Sequence, residues 1–396
     1  MIAPWRHSTP GAMAVMWLLV GASAPARADA AANDAIGKVM TVNGPVEPGS
    51  VGYALMHEHI LANFTLPLDK PDRWLQSGRK RPVAATDISF LKKKLSMDML
   101  GQVMMGKENY DNRVLDSEEI AGLEIDEFRR AGGATLVDLT SVGAGRDPEG
   151  LRRISQATGV NIVMGAGLFA EPWFPDAVGD KPIDSLVEQI VRAVTVGAEG
   201  TDIRSGIIGE LGITGTSLSP AEIKVIRAAG RASRLTGAAL SLHVSRDSKE
   251  HLKILDILER DGVDLGRVVL GGSNHLAGDA ALLEKLLRRG VYIQFDGFGR
   301  PPRITSQRWT NSEVADAIVK LIRAGHGARI LLSQDVSQKA DLRAYGGPGF
   351  TFVTNSVLPY LRQEGVTDDE IRRLMIGNPR KVLTLVAPVV TSKGGK

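Results

Sequence analysis

The chain has 396 residues, 43% of them hydrophobic, so it can bury a large core, and α/β barrels of this length fold as one domain. The formal net charge is only +3, and no dense run of lysine and arginine indicates a nucleic-acid partner. Cysteine is absent, so the chain has neither a disulfide framework nor a thiol nucleophile.

The first 28 residues have the features of an export signal. Arg6 and His7 precede a largely apolar run at residues 12–24, and Ala26 and Ala28 fit a small-x-small cleavage rule. A membrane anchor is the rival interpretation, but the apolar run is shorter than the roughly 20 residues that span a bilayer. We therefore expect removal of residues 1–28, a periplasmic or secreted protein, and no stable membrane association.

Beyond the signal, short β-rich apolar runs alternate with helical patterns, as in parallel strands joined by helices. Helix starts are indicated by N-cap residues three positions before a carboxylate, namely Asp116 with Glu119, Ser219 with Glu222, Thr310 with Glu313, and Thr367 with Glu370. Eight strands are predicted, at residues 54–60, 134–140, 161–165, 206–211, 239–244, 267–270, 291–296 and 329–333. The expected fold is α/β, a (β/α)8 TIM barrel.

Two segments interrupt this regular alternation. After strand 1 comes a helical insertion of about fifty residues with a predicted helix at 88–105, whose methionines favour the core over a substrate entrance. Residues 387–396 have the composition of a flexible polar tail. Residues 29–386 are therefore predicted to form one barrel domain.

His57 and His59 are the first candidate functional residues. They lie one residue apart in an extended, apolar run, so their side chains point to the same side of a strand. Two imidazoles that converge on one point provide half of a tetrahedral zinc-type site. The motif therefore predicts further ligands at the ends of later strands.

Four later residues are candidates for these ligands. Strand 4 ends in Glu210, strand 5 in His243 and strand 8 in Asp335, and active sites of such barrels lie at the carboxyl ends of the strands. Each residue alone is more often a helix cap or a polar strand terminus, but their joint occurrence favours one shared site. His275 lies a few residues beyond strand 6, in a glycine-rich loop that can carry it inward or outward.

These motifs, in this order, resemble the phosphotriesterase family of the amidohydrolase superfamily, over about residues 38–384. The motifs that carry the resemblance are Met56-His57-Glu58-His59, Gly132 to Thr140 with Gly145-Arg146-Asp147, Gly206 to Gly212, His243, Gln294-Phe295-Asp296, Ser333-Gln334-Asp335 and Asn378-Pro379. The resemblance implies a barrel with two divalent metal ions and hydrolysis by an activated hydroxide. Zinc is the first choice, with manganese, cobalt or iron as alternatives.

The resemblance also assigns roles to individual residues. It implies that His57, His59 and Asp335 hold one metal ion and that His243 and His275 hold the other. Glu210 would bridge both ions, and Asp335 would also accept the proton from the nucleophile during attack.

Two departures from the family pattern bear on this ligand set. Glu210 stands where the phosphotriesterases proper use a carboxylated lysine, as in the branch of phosphotriesterase-related proteins. After strand 6, Gly271-Gly272-Ser273-Asn274 precedes His275, whereas a histidine usually follows the first glycine. An alignment with a short insertion restores His275 as the ligand, and an alignment without one places Gly272 there.

The expected reaction is cleavage of an ester-like bond in a small molecule. A lactone or carboxylic ester is favoured, and a phosphotriester or amide remains open. Aromatic residues and Arg300, Arg303 or Arg343 in the loops after strands 3, 7 and 8 are candidate substrate contacts. The alternative function is an exported small-molecule-binding or catalytically impaired relative with an incomplete second metal site, and a homodimer is a compatible assembly. No Gly-x-Gly-x-x-Gly follows the first strand, which argues against a dinucleotide-binding sheet.

Overall fold

A computed structural model gives the fold and describes residues 34–176, 178–244, 250–300 and 309–389. The predicted export signal, residues 390–396 of the predicted tail and Arg303 lie outside the described residues. None of the helices in the described ranges combines the length and the apolar character that crossing a bilayer requires.

Parallel strands with intervening helices form the body of the molecule, which confirms the predicted (β/α)8 barrel. The strands are β1 (Val39–Thr41), β2 (Gly44–Val46), β3 (Tyr53–Glu58), β4 (Ala62–Asn63), β5 (Val114–Leu115), β6 (Gly133–Asp138), β7 (Asn161–Ala166), β8 (Ile207–Ile213), β9 (Leu240–Val244), β10 (Val268–Gly271), β11 (Tyr292–Phe295) and β12 (Ile330–Leu332). Within the described ranges, eight of them form one sheet in the order β12-β11-β10-β9-β8-β7-β6-β3. Each predicted strand is present, with bounds that differ by no more than two residues.

The barrel closes between its first and last strands. The Asp335 amide donates to the His57 carbonyl at 3.0 Å, and the His59 amide donates to the Val336 carbonyl at 3.0 Å. The Ser333 hydroxyl donates to the His57 carbonyl as well, at 3.0 Å. The segment that carries the two predicted histidine ligands therefore lies directly beside the one that carries the predicted aspartate.

Alternate side chains of the barrel strands pack in two different layers. Ala54 and Met56 belong to a buried cluster to which the other strands of the barrel contribute, whereas Leu55 packs in the larger cluster that includes the helices. This alternation follows from the two-residue period of a strand and fills the barrel interior with apolar side chains. Polar side chains, including His57 and Glu210, lie beyond this apolar layer, at the carboxyl ends of the strands.

Helices surround the sheet, and three of the four predicted caps are confirmed. The helices are α1 (Pro71–Gln76), α2 (Ala85–Lys92), α3 (Leu100–Met104), α4 (Glu118–Arg130), α5 (Pro148–Thr158), α6 (Ile183–Thr195), α7 (Pro220–Thr236), α8 (His251–Arg260), α9 (Ala280–Arg288), α10 (Asn311–Arg323), α11 (Leu358–Gln363), α12 (Asp368–Arg372) and α13 (Asn378–Leu383). Ser219, Thr310 and Thr367 form complete capping boxes. The prediction of Asp116 was wrong, because the Ser117 side chain accepts the Ile120 amide and caps α4.

The predicted single helix at residues 88–105 was also wrong, because α2 ends at Lys92 and α3 begins at Leu100. The side-chain amide of Asn109 donates to the carbonyls of Phe90 and Lys93, both at 2.9 Å. These bonds satisfy carbonyl groups at the end of α2, so the helix stops there. Of the four methionines in this segment only Met99 is buried, and Met97, Met104 and Met105 are exposed.

Candidate metal centre

Glu210 is buried and lies at the centre of a cluster formed by three predicted histidine ligands, of which His57 and His59 are buried and His243 is partly exposed. Its Oε2 atom lies 3.2 Å from His57 Nε2 and 3.3 Å from His59 Nε2. Its Oε1 atom lies 2.9 Å from His243 Nδ1. Residues from β3, β8 and β9 are thus brought together at one end of the barrel, as their positions at strand ends predict.

A bulge in β8 aims Glu210 at this cluster. The pairing of β8 with β9 shifts register between Ile208 and Leu211, so Glu210 lies in the irregular part of the strand. Gly209 has a φ of +142°, and a Cβ atom there would lie 2.4 Å from the Ser241 carbonyl oxygen. Only glycine fits this position, which explains the glycine directly before the carboxylate.

Asp335 completes the cluster from the segment after β12. Its Oδ1 atom lies 3.4 Å from His59 Nε2 and 3.8 Å from His57 Nε2. Its φ of +52° is in the left-handed region, which residues other than glycine adopt mainly where surrounding structure holds them, often at functional sites. Arg300 lies 2.7 Å from Asp335 Oδ2 and donates to Ser337 Oγ at 2.9 Å, so this predicted substrate contact is paired within the protein.

The donor atoms of this cluster fit a divalent cation. His57 Nε2 and Glu210 Oε2 are buried and have no hydrogen-bond partner in the described structure, although buried polar atoms are normally bonded. One ligand atom each from His57, His59 and Glu210 lie within 4.8 Å of one another. Imidazole nitrogens and carboxylate oxygens are ligands of zinc, manganese, cobalt and iron, so a metal ion bound here would satisfy the orphaned atoms.

The charge of the cluster also favours a cation. Burial alone would lower the pKa of His59, but the carboxylates of Asp335 and Glu210 raise it to about 9. Burial is also the largest single influence on the pKa of His57 and lowers it, but the charges of Glu210 and Asp335 and the hydrogen bonds of Asp296 and Glu210 together raise this pKa well above its usual value. The two buried carboxylates therefore favour positive charge beside them, which a divalent cation would supply.

Asp296 orients His57 from behind. Its Oδ2 atom lies 2.7 Å from His57 Nδ1 and accepts from the Gln294 side chain at 3.0 Å, and the Gly272 amide donates to Oδ1 at 2.9 Å. Such a bond fixes the ring so that Nε2 faces the metal position. Burial alone would raise the pKa of Asp296, but the bond from His57 keeps the pKa below its usual value. We did not predict this role from the sequence, although Asp296 is part of a motif that carries the family resemblance.

A second set of hydrogen bonds orients His59. Its Nδ1 atom lies 2.9 Å from the Thr140 hydroxyl, and the Thr140 amide donates to Asp138 at 2.9 Å. Asp138 also accepts the Ile60 amide at 2.7 Å. This chain of bonds starts at the end of β6 and reaches the residue after His59, which explains why polar residues end that strand.

Glu58, between the two histidines, holds the first and last strands of the barrel together. It is fully buried and accepts the Ser333 hydroxyl at 2.7 Å and the amides of Gln334 and Val336, both at 2.8 Å. Burial raises the pKa of Glu58 to about 7, even though these bonds oppose the shift. Glu58 therefore positions the segment that carries Asp335, a role that the sequence did not reveal.

His275 lies apart from the Glu210 cluster in the described contacts. It belongs to a short 3₁₀ helix, Ser273–Leu276, where its Nδ1 atom lies 2.6 Å from the Gly272 carbonyl. Neither group of neighbouring ligand atoms found among the described residues includes it. It does line the same cavity, so its role as a ligand stays a prediction.

Gly272 occupies the position directly after β10. Its φ is +69°, and a Cβ atom there would lie 2.7 Å from the His243 ring, so a side chain at this position would collide with that ring. The His243 ring thus fills the space that a side chain at position 272 would need. This crowding explains the glycine at position 272, and the only histidine of this loop is three residues farther on.

The cluster lies in a cavity of about 800 Å³ that is open to solvent. Its lining includes the metal-centre residues His59, Glu210, His243 and Asp335, the aromatic residues Phe64, Phe169, Trp173 and Trp309, and the cations Arg79, Arg113 and Arg300. The predicted loop after strand 3 contributes Trp173, whereas Arg343 is half exposed and lies 3.8 Å from Glu127 instead. The insertion after strand 1 supplies Phe64, Arg79 and Arg113, which the sequence did not single out.

Known proteins resemble this chain over most of its length. The model of the phosphotriesterase family matches residues 37–383. A Dictyostelium discoideum protein named N-acetyltaurine hydrolase is 31% identical over 369 residues, which cover 89% of this chain and 99% of that protein. A phosphotriesterase-related protein from Nematostella vectensis is 31% identical over 355 residues, 88% of this chain and 99% of the relative. A solved structure of a resiniferatoxin-binding protein from Rhodobacter sphaeroides is 34% identical, with a TM-score of 0.81, and covers 88% of this chain and 95% of that one.

Proposed function

Because this chain belongs to the phosphotriesterase family of metal-dependent hydrolases, we propose that it cleaves an ester-like or amide bond of a small molecule at the Glu210 cluster. The observation that carries the proposal is the buried set His57, His59 and Glu210, which has orphaned ligand atoms and opens into a cavity of about 800 Å³. A cavity of this size suits a small organic substrate.

We propose two divalent ions, with zinc as the best match to the mixed nitrogen and oxygen donors. His57, His59, Asp335 and Glu210 would hold the first ion, and Glu210 with His243 would hold the second, to which His275 is the predicted further ligand. Such ions, when bound, act as Lewis acids that lower the pKa of water and polarise the bond to be broken. We expect the first ion to bind more tightly, because more donors of the described cluster face its position.

The residues of the chain itself position the reaction and move its proton. Asp335 is the acceptor for the proton of the attacking water, and its ion pair with Arg300 at 2.7 Å keeps the carboxylate ionised and oriented. Asp296 and Thr140 fix the two histidine rings from behind. The ring of Phe64 lies 4.9 Å from that of His59, so an apolar wall adjoins the reacting groups and restricts water there.

The substrate class can be decided by a panel of lactones, aryl esters, phosphotriesters and N-acyl amino acids. The similarity to N-acetyltaurine hydrolases supports adding N-acetyltaurine to lactones and carboxylic esters, which the sequence favours. We expect metal-loaded protein to turn over at least one carboxylic class, and Glu210→Ala to lower kcat/KM by about 100-fold or more. Absence of turnover for every class by fully metal-loaded protein would contradict the proposal.

The similarity to a resiniferatoxin-binding protein supports a second candidate function, binding of a small apolar ligand without turnover. The aromatic rings that line the cavity are compatible with such a ligand. Equilibrium binding and hydrolysis measured on the same compounds separate the two functions. Tight binding with no product after prolonged incubation favours the binding protein, and product formation favours the hydrolase.

A further inference from the structure

Two largely buried arginines line the cavity on the side formed by the insertion after β3. The side chains of Arg79 and Arg113 are 14% and 18% exposed, respectively, and Glu108 between them is 7% exposed. Arg113 donates to both Glu108 oxygens, at 2.9 and 3.2 Å, and Arg79 donates to Oε2 at 3.2 Å. Two guanidinium groups thus share one carboxylate at the cavity wall.

Besides its ion pair with Glu108, Arg79 is held in place by uncharged groups. It donates to the Phe64 carbonyl at 2.7 Å, and its guanidinium carbon lies 5.5 Å from the Trp74 ring and 5.1 Å from the Trp173 ring. Its Nε atom has no hydrogen-bond partner in the described structure. Burial, and secondarily the charge of Arg113, lower the pKa of Arg79 to about 9, the direction expected where positive charge is incompletely balanced.

A continuous row of aromatic rings joins these arginines to the metal centre. Trp173 contacts Arg79 and lies 5.1 Å from the Phe169 ring and 6.4 Å from the Phe64 ring. Phe64 lies 4.9 Å from the His59 ring. One cavity therefore has a reactive end at His59, an apolar wall, and a cationic end at Arg79.

We propose that Arg79 and Arg113 form a subsite for an organic acid group, so that the substrate is an acyl compound with an anion at its far end. Planar guanidinium groups bind oxyanions through paired, charge-assisted hydrogen bonds, and the buried wall strengthens them. The subsite selects compounds whose cleavable bond and acid group are separated by a short apolar segment that lies along the aromatic wall. The orientation of the substrate rests on the proposed hydrolase function.

The test uses the full mature chain and paired probes that differ only in charge. N-acetyl derivatives of glycine, β-alanine, 4-aminobutyrate and 6-aminohexanoate are compared with their neutral carboxamides. Binding to metal-depleted protein is followed by tryptophan fluorescence, because Trp74 and Trp173 flank Arg79, and kcat/KM is measured on metal-loaded protein. We expect the acid of the best-fitting length to be preferred by about 10- to 100-fold, as for hydrogen bonds to a charged group.

The variants are Arg79→Met, which keeps the bulk of the side chain, Arg79→Lys, which keeps its charge, and Arg129→Met as a control. Arg129 lies on α4 with its side chain 49% exposed and pairs with Asp126. Arg79→Met should bring the ratio of acid to carboxamide, in binding and in kcat/KM, close to one. Arg79→Lys should retain part of the preference for the acid, and the control should equal wild type. If Arg79→Met does not fold, the decision rests on whether Arg79→Lys, which lacks the planar fork, lowers the preference at least threefold.

The outcomes distinguish the subsite from the hydrolase function. A charge preference in binding that Arg79→Met removes supports the subsite even if no compound is hydrolysed. Equal binding and turnover of acids and amides by wild-type protein, or a preference that survives in Arg79→Met, would overturn it. A merely structural role for Arg79 would weaken acids and amides alike and leave their ratio unchanged.

Discussion

Removal of Asp296 should weaken metal binding although we do not place Asp296 among the ligands. Asp296→Ala leaves His57 Nδ1 without the acceptor that now lies 2.7 Å away, in a site where both side chains are nearly fully buried. An unsatisfied buried N–H group costs about 1–3 kcal/mol, which corresponds to roughly 10- to 100-fold in affinity. Loss of groups that orient a metal-bound histidine has effects of the same size.

Asp296→Asn should have a smaller effect than Asp296→Ala, because its amide oxygen can still accept from His57. Some affinity should still be lost, because its NH₂ group faces the Gly272 N–H, which donates to Asp296 Oδ1 in the wild type. We expect metal affinity to fall in the order wild type, Asn variant, Ala variant. Competition with a zinc-selective fluorescent chelator measures these affinities. Asp202→Asn, which changes an exposed carboxylate paired with Arg152, is the control and should match wild type. An Ala variant that is folded and within twofold of wild type would refute the reasoning.

The remaining predictions concern stability, the second ion, export and metal removal. Glu58→Gln turns an NH₂ group toward backbone amides and should lower Tm by roughly 2–10 °C in calorimetry, whereas an unchanged Tm would show that Glu58 does not hold the first and last strands together. His275→Ala should weaken only the second of two metal-binding steps in equilibrium dialysis, and equal isotherms would remove it from the ligand set. Mass spectrometry of exported protein should give an N-terminus near residue 29, and an intact signal in the mature protein would contradict cleavage. A chelator should abolish hydrolysis and added zinc should restore it, so chelator-resistant turnover would contradict a metal requirement.

The strands and the Glu210 cluster were predictable because each depends on local sequence. Apolar runs bounded by capped helices define the strands, and a charge such as Glu210 at the end of such a run is unusual. The barrel then brings strand ends together whatever the loops do, so His57, His243 and Asp335 could be grouped without knowing any distance.

The rest of the site depends on contacts between segments that are far apart in sequence. Asn109 donates to carbonyl groups sixteen and nineteen residues away at the end of α2. No periodicity in the sequence indicates that the predicted helix is interrupted there. Arg79 acquires its position from Trp173, which belongs to the loop after β7. Asp296 directly follows β11. A carboxylate at this position equally fits an ordinary polar strand end, so the sequence alone does not show that Asp296 orients His57.

We propose above all that the Glu210 cluster binds catalytic metal. The most direct test is the metal content of chelator-treated protein reloaded with zinc, measured by mass spectrometry together with hydrolysis, for wild type and His57→Ala. We expect about two ions per chain for wild type, loss of the tighter ion and of turnover in the variant, and unchanged circular dichroism. Wild-type protein without bound zinc, or a variant that keeps its metal and its activity, would contradict the claim.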